Sequence, residues 1–566
     1  MDVNREAVAF PATEQAARAP YHHPRPWDVP LEKMALIEAF AKASATHPDR
    51  TLAAFLGANY SYRDLYEEAA RFAAGLKAHG IAPGDRVGLF LPNVPIYVAA
   101  YYGAMMAGAV VVNFSPLYTV DELSHQVEDS GTRLLVTLDV ASLLPTALKV
   151  LGGSALETLV VGKLGAMLPL SKRVALKILG RGKIAKSPRR SDVVDWSDFL
   201  KDEISPPVAA HADDLALLQY TGGTTGRPKG AMLTHGNLAF NAQQVNAIDP
   251  FDRSEPDRVL GALPLFHVFA NTCVLNRTIL RGGTIVMLPR FEPDQVLATI
   301  AKAKPTAFPG VPTMYQALLD HQDFAKTDCS SMKICISGGA PMPAPVQKAF
   351  EEKTGVRIVE GYGLTESSGV VSVNPYTAAR KPGTIGQLVP GTQAILLDKE
   401  DPTRLVGTDE PGELALAGPQ IMKGYWNRPD TQAATFAQHF GKAWLRTGDV
   451  ATVDADGFIE IVDRIKDMIA VGGFKVFPSQ VEDVLLDNPA IKEALVIGAP
   501  DDYRGECVHA YVTLNDRSAD AETLKDWANA RLGKHERLEK LVIRDELPKT
   551  MIGKLDRKAL RAEVLY

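Results

Sequence analysis

At 566 residues the chain exceeds what one hydrophobic core can hold and should divide into two or more domains. Hydrophobic residues make up 46% and charged residues 23%, an ordinary globular balance, and a formal net charge of −6 argues against a general nucleic-acid binder. Cys273, Cys329, Cys335 and Cys507 stand far apart with no CxxC pair, which suits reduced thiols in a cytoplasmic protein and offers no zinc site.

In chain order, the opening "MDVNREAVAFPATEQAARAP" carries acids and no apolar run, so no signal peptide is expected there. Short β-rich runs then alternate with helical patterns: "TLAAF", "RVGLFL", "AVVVNF", "RLLVTL", "TLVV", "LALLQY", "TIVML" and "MKICISG". This alternation predicts doubly wound α/β layers. Residues 87–120 hold no charge, and 96–112 are nearly long enough to span a bilayer. Pro92, Pro95, Gly103 and Gly108 punctuate the stretch, so a buried strand, a buried helix and a second buried strand are expected instead. Residues 163–190 carry nine basic residues and no acid, and "LSKRVALKILGR" within them predicts a short amphipathic helix. That segment reads either as a contact for an anionic membrane, which would make a cytoplasmic protein peripherally membrane-associated, or as a solvated helix packed on the N-terminal domain. In "RFEPDQVLATIAKAKPT", Pro293 opens a helix whose Val296, Leu297 and Ile300 share one face. From about 381 to 456 short strands and turns predict a small β-barrel-like module, and an α+β pattern runs to the end. The main boundary is placed at 464–466, giving an N-terminal domain over 1–463 and a mobile C-terminal domain over 464–566.

The stretch "LLQYTGGTTGRPKGAMLTHGNL" (217–238) has the ingredients of a polyphosphate cradle. Gly222, Gly223 and Gly226 permit close backbone approach, Thr221, Thr224 and Thr225 offer hydroxyls, and Lys229 offers charge. A Walker A loop has lysine directly after glycine and a hydroxyl next; here Lys229 follows Pro228 and precedes Gly230. An ordinary P-loop ATPase or nucleotide switch is therefore disfavoured.

Four further motifs follow in order: "GYGLTES" (361–367), "WLRTGDV" (444–450), "DRIKDMIAVGGFKVFPSQVE" (463–482) and "PKTMIGKLDR" (548–557). With the Gly/Thr loop they resemble the signature set of the acyl-adenylate-forming superfamily. "VVVNFSPLYTVDEL", "ALPLFHVFA" and "RDELPKT" are most similar to bacterial long-chain fatty-acid–CoA ligases. The resemblance implies a two-step enzyme that joins a fatty carboxylate to the α-phosphate of ATP and then transfers the acyl group to coenzyme A. It also implies roles. Lys229 would hold the outgoing phosphates, Lys554 would bridge carboxylate and α-phosphate, Thr365 would bond the α-phosphate and Glu366 would carry Mg²⁺. Asp449 would accept the ribose hydroxyls with Arg464 in support. The adenine would lie on Tyr362, between Gly361 and Gly363, its edge meeting Gly338, Gly339, Ala340 and Pro341. His267 would position the acyl carboxylate, Phe266, Phe269 and residues 308–314 would wall the acyl pocket, and Gly472 and Gly473 would line the pantetheine path. Lys466 falls at the family's hinge.

Taken singly, Asp449 and Arg464 read equally as a surface pair, Glu366 as a helix cap and Lys554 as a solvated lysine; their order and spacing carry the functional reading. Asn271 stands where some long-chain members place a gating tryptophan, and "GKHERLEK" replaces a Tyr-Lys-x-Pro segment. A dicarboxylic or aromatic acid therefore stays open as substrate, as does a fatty acyl-AMP ligase that loads a carrier protein.

Overall fold

The computed structural model describes residues 20–565 apart from 181, 203, 205, 222–227, 252–254, 378, 408–409, 473, 502, 516–518 and 551–553. Two open sheets carry the N-terminal part. Among the described residues the larger has nine strands, whose parallel middle runs Ile358–Tyr362, Ile334–Gly338, Ala307–Gly310, Arg258–Gly261, Thr284–Met287 and Thr51–Phe55. The second has seven, parallel from Val193–Asp195 through Arg86–Phe90 and Val110–Phe114 to Leu215–Thr221. Lys229–Thr234 closes its edge antiparallel. Parallel strands joined through helices are buried on both faces, which is why their sequences read as near-continuous apolar runs.

The charge-free stretch resolves into strand Arg86–Phe90, helix Pro95–Met106 and strand Val110–Phe114. All twelve residues of the helix are buried. Pro95 fits its first turn, where an amide hydrogen has no intrahelical partner. A Cβ on Gly103 would stand 2.5 Å from the Ala69 carbonyl oxygen, so glycine lets this helix touch Tyr62–Ala78. Three buried tyrosine hydroxyls find acceptors, as burial demands. Tyr97 meets Asn113 Oδ1 and the Leu265 carbonyl, Tyr101 donates to Asn271 Oδ1 at 3.0 Å, and Tyr102 to Asn276 Oδ1 at 2.9 Å. Asn271 thus faces Tyr101 in the core, inside the π-helical turn Asn271–Asn276. Among the described residues no helix is long and apolar enough to cross a membrane.

Among the described residues a five-stranded antiparallel sheet follows, with Lys442–Val453 paired to both Gly412–Ala417 and Ile459–Arg464. A separate apolar core then begins at Ile469 and runs to Leu541, built on the long pair Ile491–Asp501 and Gly505–Leu514. The expected mixed α/β architecture, a large N-terminal body and a smaller C-terminal one, is what the chain forms. All four cysteines are free and buried. Burial pushes the Cys273 thiol up to about 12 and the Cys329 thiol up to about 11, and raises Cys335 and Cys507 as well.

Candidate active site

Strands Ile334–Gly338 and Ile358–Tyr362 run parallel with Gly338 opposite Gly361, so the loops leaving their C-terminal ends lie side by side. In open α/β sheets that edge is where ligands bind. One loop is Gly339, Ala340 and Pro341, with Gly339 in the left-handed region at φ +84°. The other doubles back through Gly363: a Cβ there would stand 1.8 Å from the Gly369 carbonyl oxygen. This fold places Thr365 and Glu366 on a single 3₁₀ turn, held by the Met422 amide donating to the Glu366 carbonyl and Thr272 Oγ1 donating to the Ser368 carbonyl.

On the facing sheet, Thr221 and Lys229 are cross-strand partners at the two ends of the Gly/Thr loop. Gly222, Gly223, Thr224, Thr225 and Gly226 lie outside the described residues, as does Gly473. Lys229 and Glu366 meet on one residue the sequence reading missed. Tyr425 donates its hydroxyl to Glu366 Oε1 at 2.6 Å, and its ring centroid lies 5.0 Å from Lys229 Nζ. Backbone bonds hold it there, from the Trp426 amide to Gly230 and from the Met232 amide to Gly424.

Asp449 and Arg464 face each other across paired strands, and Arg464 Nε donates to Asp449 Oδ1 at 2.9 Å. Asp449 is 2% exposed, so this is a buried carboxylate and not a surface pair. The Tyr362 hydroxyl donates to its other oxygen. Burial and the Asp449 charge hold that phenol well above its usual range, so it stays a donor. Glu413, also buried, receives Arg446 through two nitrogens and the Gly448 amide, which fixes the turn entering Asp449. Nothing in the local sequence distinguishes Glu413 from other strand carboxylates.

His267 lies on the loop after strand Arg258–Gly261, and a second unforeseen residue positions that loop. Asn93, 1% exposed, donates through Nδ2 to the Gly261 and Leu263 carbonyls and accepts from the Leu265 amide at 2.7 Å. It follows strand Arg86–Phe90, so one amide clamps the two sheets together. His267 Nδ1 accepts weakly from the Phe269 amide at 3.4 Å, which leaves Nε2 to carry the ring proton. Burial, with a contribution from the nearby Lys554 charge, lowers the imidazole to about 4. It is neutral at pH 7.

Lys554 arrives from the C-terminal body. A Cβ on Gly339 would stand 2.8 Å from Lys554 Cε and 3.2 Å from Nζ, so the lysine packs directly on the glycine loop. Burial and the Arg464 charge lower its ammonium to about 8, opposed by Asp449. Phe269 packs against Gly338 and against an apolar cluster of Val245, Ile248, Cys273, Ile336 and Val359. A cavity of about 30 Å³ in that cluster also touches Tyr376 and the buried Arg277–Asp249 pair. Gly472 is not drawn into this set; its amide bonds to the Arg504 carbonyl within the C-terminal sheet. The arrangement is therefore a cleft with cations at two places, a buried carboxylate pair partner suited to a diol, and an apolar floor.

Comparison with known proteins agrees in extent. The family model described as AMP-binding enzyme matches residues 40–426, and that described as AMP-binding enzyme C-terminal domain matches residues 480–554. The chain is 38% identical over 551 residues to a long-chain-fatty-acid–CoA ligase of Bacillus subtilis (strain 168), covering 96% of this chain and 97% of that one. It is 37% identical over 558 residues to one of Escherichia coli O157:H7, covering 95% and 97%. Among solved structures it resembles the anthranilate CoA ligase AuaEII in complex with anthranoyl-AMP, with TM-score 0.82 and 27% identity over 94% of this chain and 98% of that one.

Proposed function

The chain belongs to the AMP-binding enzyme family, and from that membership we propose that it is an ATP-dependent ligase joining a medium- to long-chain fatty acid to coenzyme A. In the first step a carboxylate oxygen attacks the α-phosphorus of ATP and pyrophosphate leaves; in the second the thiol of coenzyme A attacks the acyl carbon and AMP leaves. The observation that carries the reading is Lys554 packed on Gly339 beside His267, with the Asp449–Arg464 pair within its electrostatic reach. Two anions must approach each other in step one, and a desolvated ammonium between them offsets the charge that builds. Neutral His267 orients the carboxylate without adding charge. Asp449 accepts the ribose hydroxyls, Tyr362 supports the adenine, and Lys229 with the Gly/Thr loop receives the departing phosphates. The apolar cluster below Phe269 supports a hydrocarbon tail. Its cavity holds about one water, so a long chain seats by displacing side chains, and Arg277 in its lining is already paired with Asp249 and Asp257.

Glu366 fits a magnesium site of the kind completed by substrate. Among the described residues there is no group of three or more His, Cys, Asp and Glu side chains that would hold a metal alone. Mg²⁺ is commonly held by one or two carboxylates plus phosphate oxygens. When bound it supplies positive charge on the pyrophosphate side. Tyr425→Phe keeps the ring under Lys229 and removes only the hydroxyl that orients Glu366. It should raise the Mg²⁺ concentration for half-maximal ATP–pyrophosphate exchange by about tenfold, the lower end for losing a ligand's outer partner. An unchanged Mg²⁺ curve would show that Tyr425 does not orient Glu366.

We read the boundary between the two working parts at 464–466, and the contacts on either side support that reading. Arg464 is tied to Asp449 on one side, and Asp467 is tied to Arg557 on the other, alongside Glu482. Ile465 and Lys466 are the two residues between these anchors. Acid-dependent AMP release, screened over C4 to C18 fatty acids, α,ω-diacids and benzoates with and without coenzyme A, tests the assignment. Thioester should form best with C10 to C18 monoacids. Preference for a diacid or benzoate would overturn the fatty-acid reading, and acyl-AMP that coenzyme A never consumes would point to a carrier-protein acceptor.

A further inference from the structure

The helix Leu170–Leu179 has no fully buried residue among those described. Leu170 is 74% exposed, Val174 47% and Ile178 66%. Spaced by four, they form one outward stripe about 80° wide. The opposite side is pinned to the body. The Arg173 guanidinium turns back onto the Gly165 and Ala166 carbonyls at 2.9 and 3.0 Å, and half-buried Leu176 packs beside Gly165. The stripe is thus held facing water by the fold.

The run 163–190, which contains this helix and continues past it, is positively charged in sequence. Lys163 is paired with Asp195 and Arg190 with Asp192. Lys172, Lys177, Lys183, Lys186 and Arg189 are exposed and have no carboxylate partner among the described residues. In a chain whose net charge is −6 this is a local reversal of sign.

We propose that this face docks on an anionic lipid surface, with Leu170, Val174 and Ile178 entering the headgroup–acyl boundary and the five unpaired cations meeting the headgroup charge. An amphipathic helix of this kind binds through apolar burial plus electrostatic attraction and needs no matching shape. A protein partner would need an interface of about 1,200 Å² or more, whereas three side chains on a ten-residue helix suit a fluid surface. The proposal does not depend on the identity of the acid; for a lipid-soluble acid it places the enzyme where its substrate collects.

Sedimentation of the full chain with phosphatidylcholine vesicles, with and without about one-third phosphatidylglycerol, at low and high salt tests it. The protein should pellet only with the anionic vesicles and only at low salt. Each basic residue near such a surface contributes about fivefold to partitioning, so changing Lys172, Lys177 and Lys183 together to glutamine should weaken it about a hundredfold. Changing Leu170, Val174 and Ile178 to serine should also release the protein, with acid-dependent AMP formation on a soluble acid unchanged in both variants. Wild-type protein left in the supernatant, or variants that still pellet, would overturn the proposal. So would light scattering showing a vesicle-free dimer that the serine variant dissolves, because the stripe would then serve self-association.

Discussion

Lys554→Ala should lower acyl-adenylate formation by about 10²–10³-fold, the usual loss when one aimed charge-stabilising donor is removed, while transfer from preformed acyl-AMP to coenzyme A persists. The expectation follows from where the lysine sits. Its side chain lies on Gly339 and raises the local potential felt by His267, on the side of the cleft assigned to the reacting carboxylate and α-phosphate. A pH profile adds a second signature. The free ammonium is lowered to about 8, so its charge is present below that pH and lost above it. The kcat/KM for adenylation, which reports the free enzyme, should fall as pH rises through about 8. That break should vanish in Lys554→Ala. Near-normal acid-dependent ATP–pyrophosphate exchange in the variant would remove Lys554 from step one.

The second large effect concerns the passage between steps. Lys466→Pro should preserve adenylation within a few-fold and collapse thioester formation. Lys466 stands in the 3₁₀ turn Ile465–Asp467, and proline's fixed φ of about −65° lies within the 3₁₀ range. The substitution therefore suits the orientation that brings Lys554 to Gly339 and resists any other. Proline also disfavours a helical conformation at the preceding residue, here Ile465, so some stability is lost. Ile465→Pro is the cleaner companion, since Arg464 before it is already extended at φ −100° and ψ 135°. The two half-reactions, measured separately, decide it: equal losses in both would mean that the turn is not the pivot.

Much of this was legible in the chain because its signals are local. Apolar runs such as "AVVVNF" and "LALLQY" become strands wherever helices can cover both faces, and Pro293 and Pro95 open helices by the same local geometry. The motif glycines were legible too, since Gly339 and Gly363 occupy turns that a side chain would strain or block. What escaped was tertiary. Asn93 acts only because two sheets bring the Gly261–Leu265 loop to its amide, and Tyr425 only because residues 424–426 are laid along strand Lys229–Thr234. Glu413 matters through Arg446 and Gly448, more than thirty residues away. Asn271 read as a missing gate, yet its side-chain oxygen accepts from both Tyr101 and Asn276. No spacing rule reports such contacts.

The four sealed thiols have a practical corollary. With every native cysteine buried and its thiol held less acidic than in water, alkylating dyes find almost no thiolate to attack. One new cysteine in place of Tyr503, 96% exposed on the C-terminal body, and another in place of Leu117, 64% exposed on the N-terminal body, would take a fluorophore pair without removing any native cysteine. Distance changes between the dyes would then be read in real time, against a silent background, as ATP, acid and thiol are added in turn.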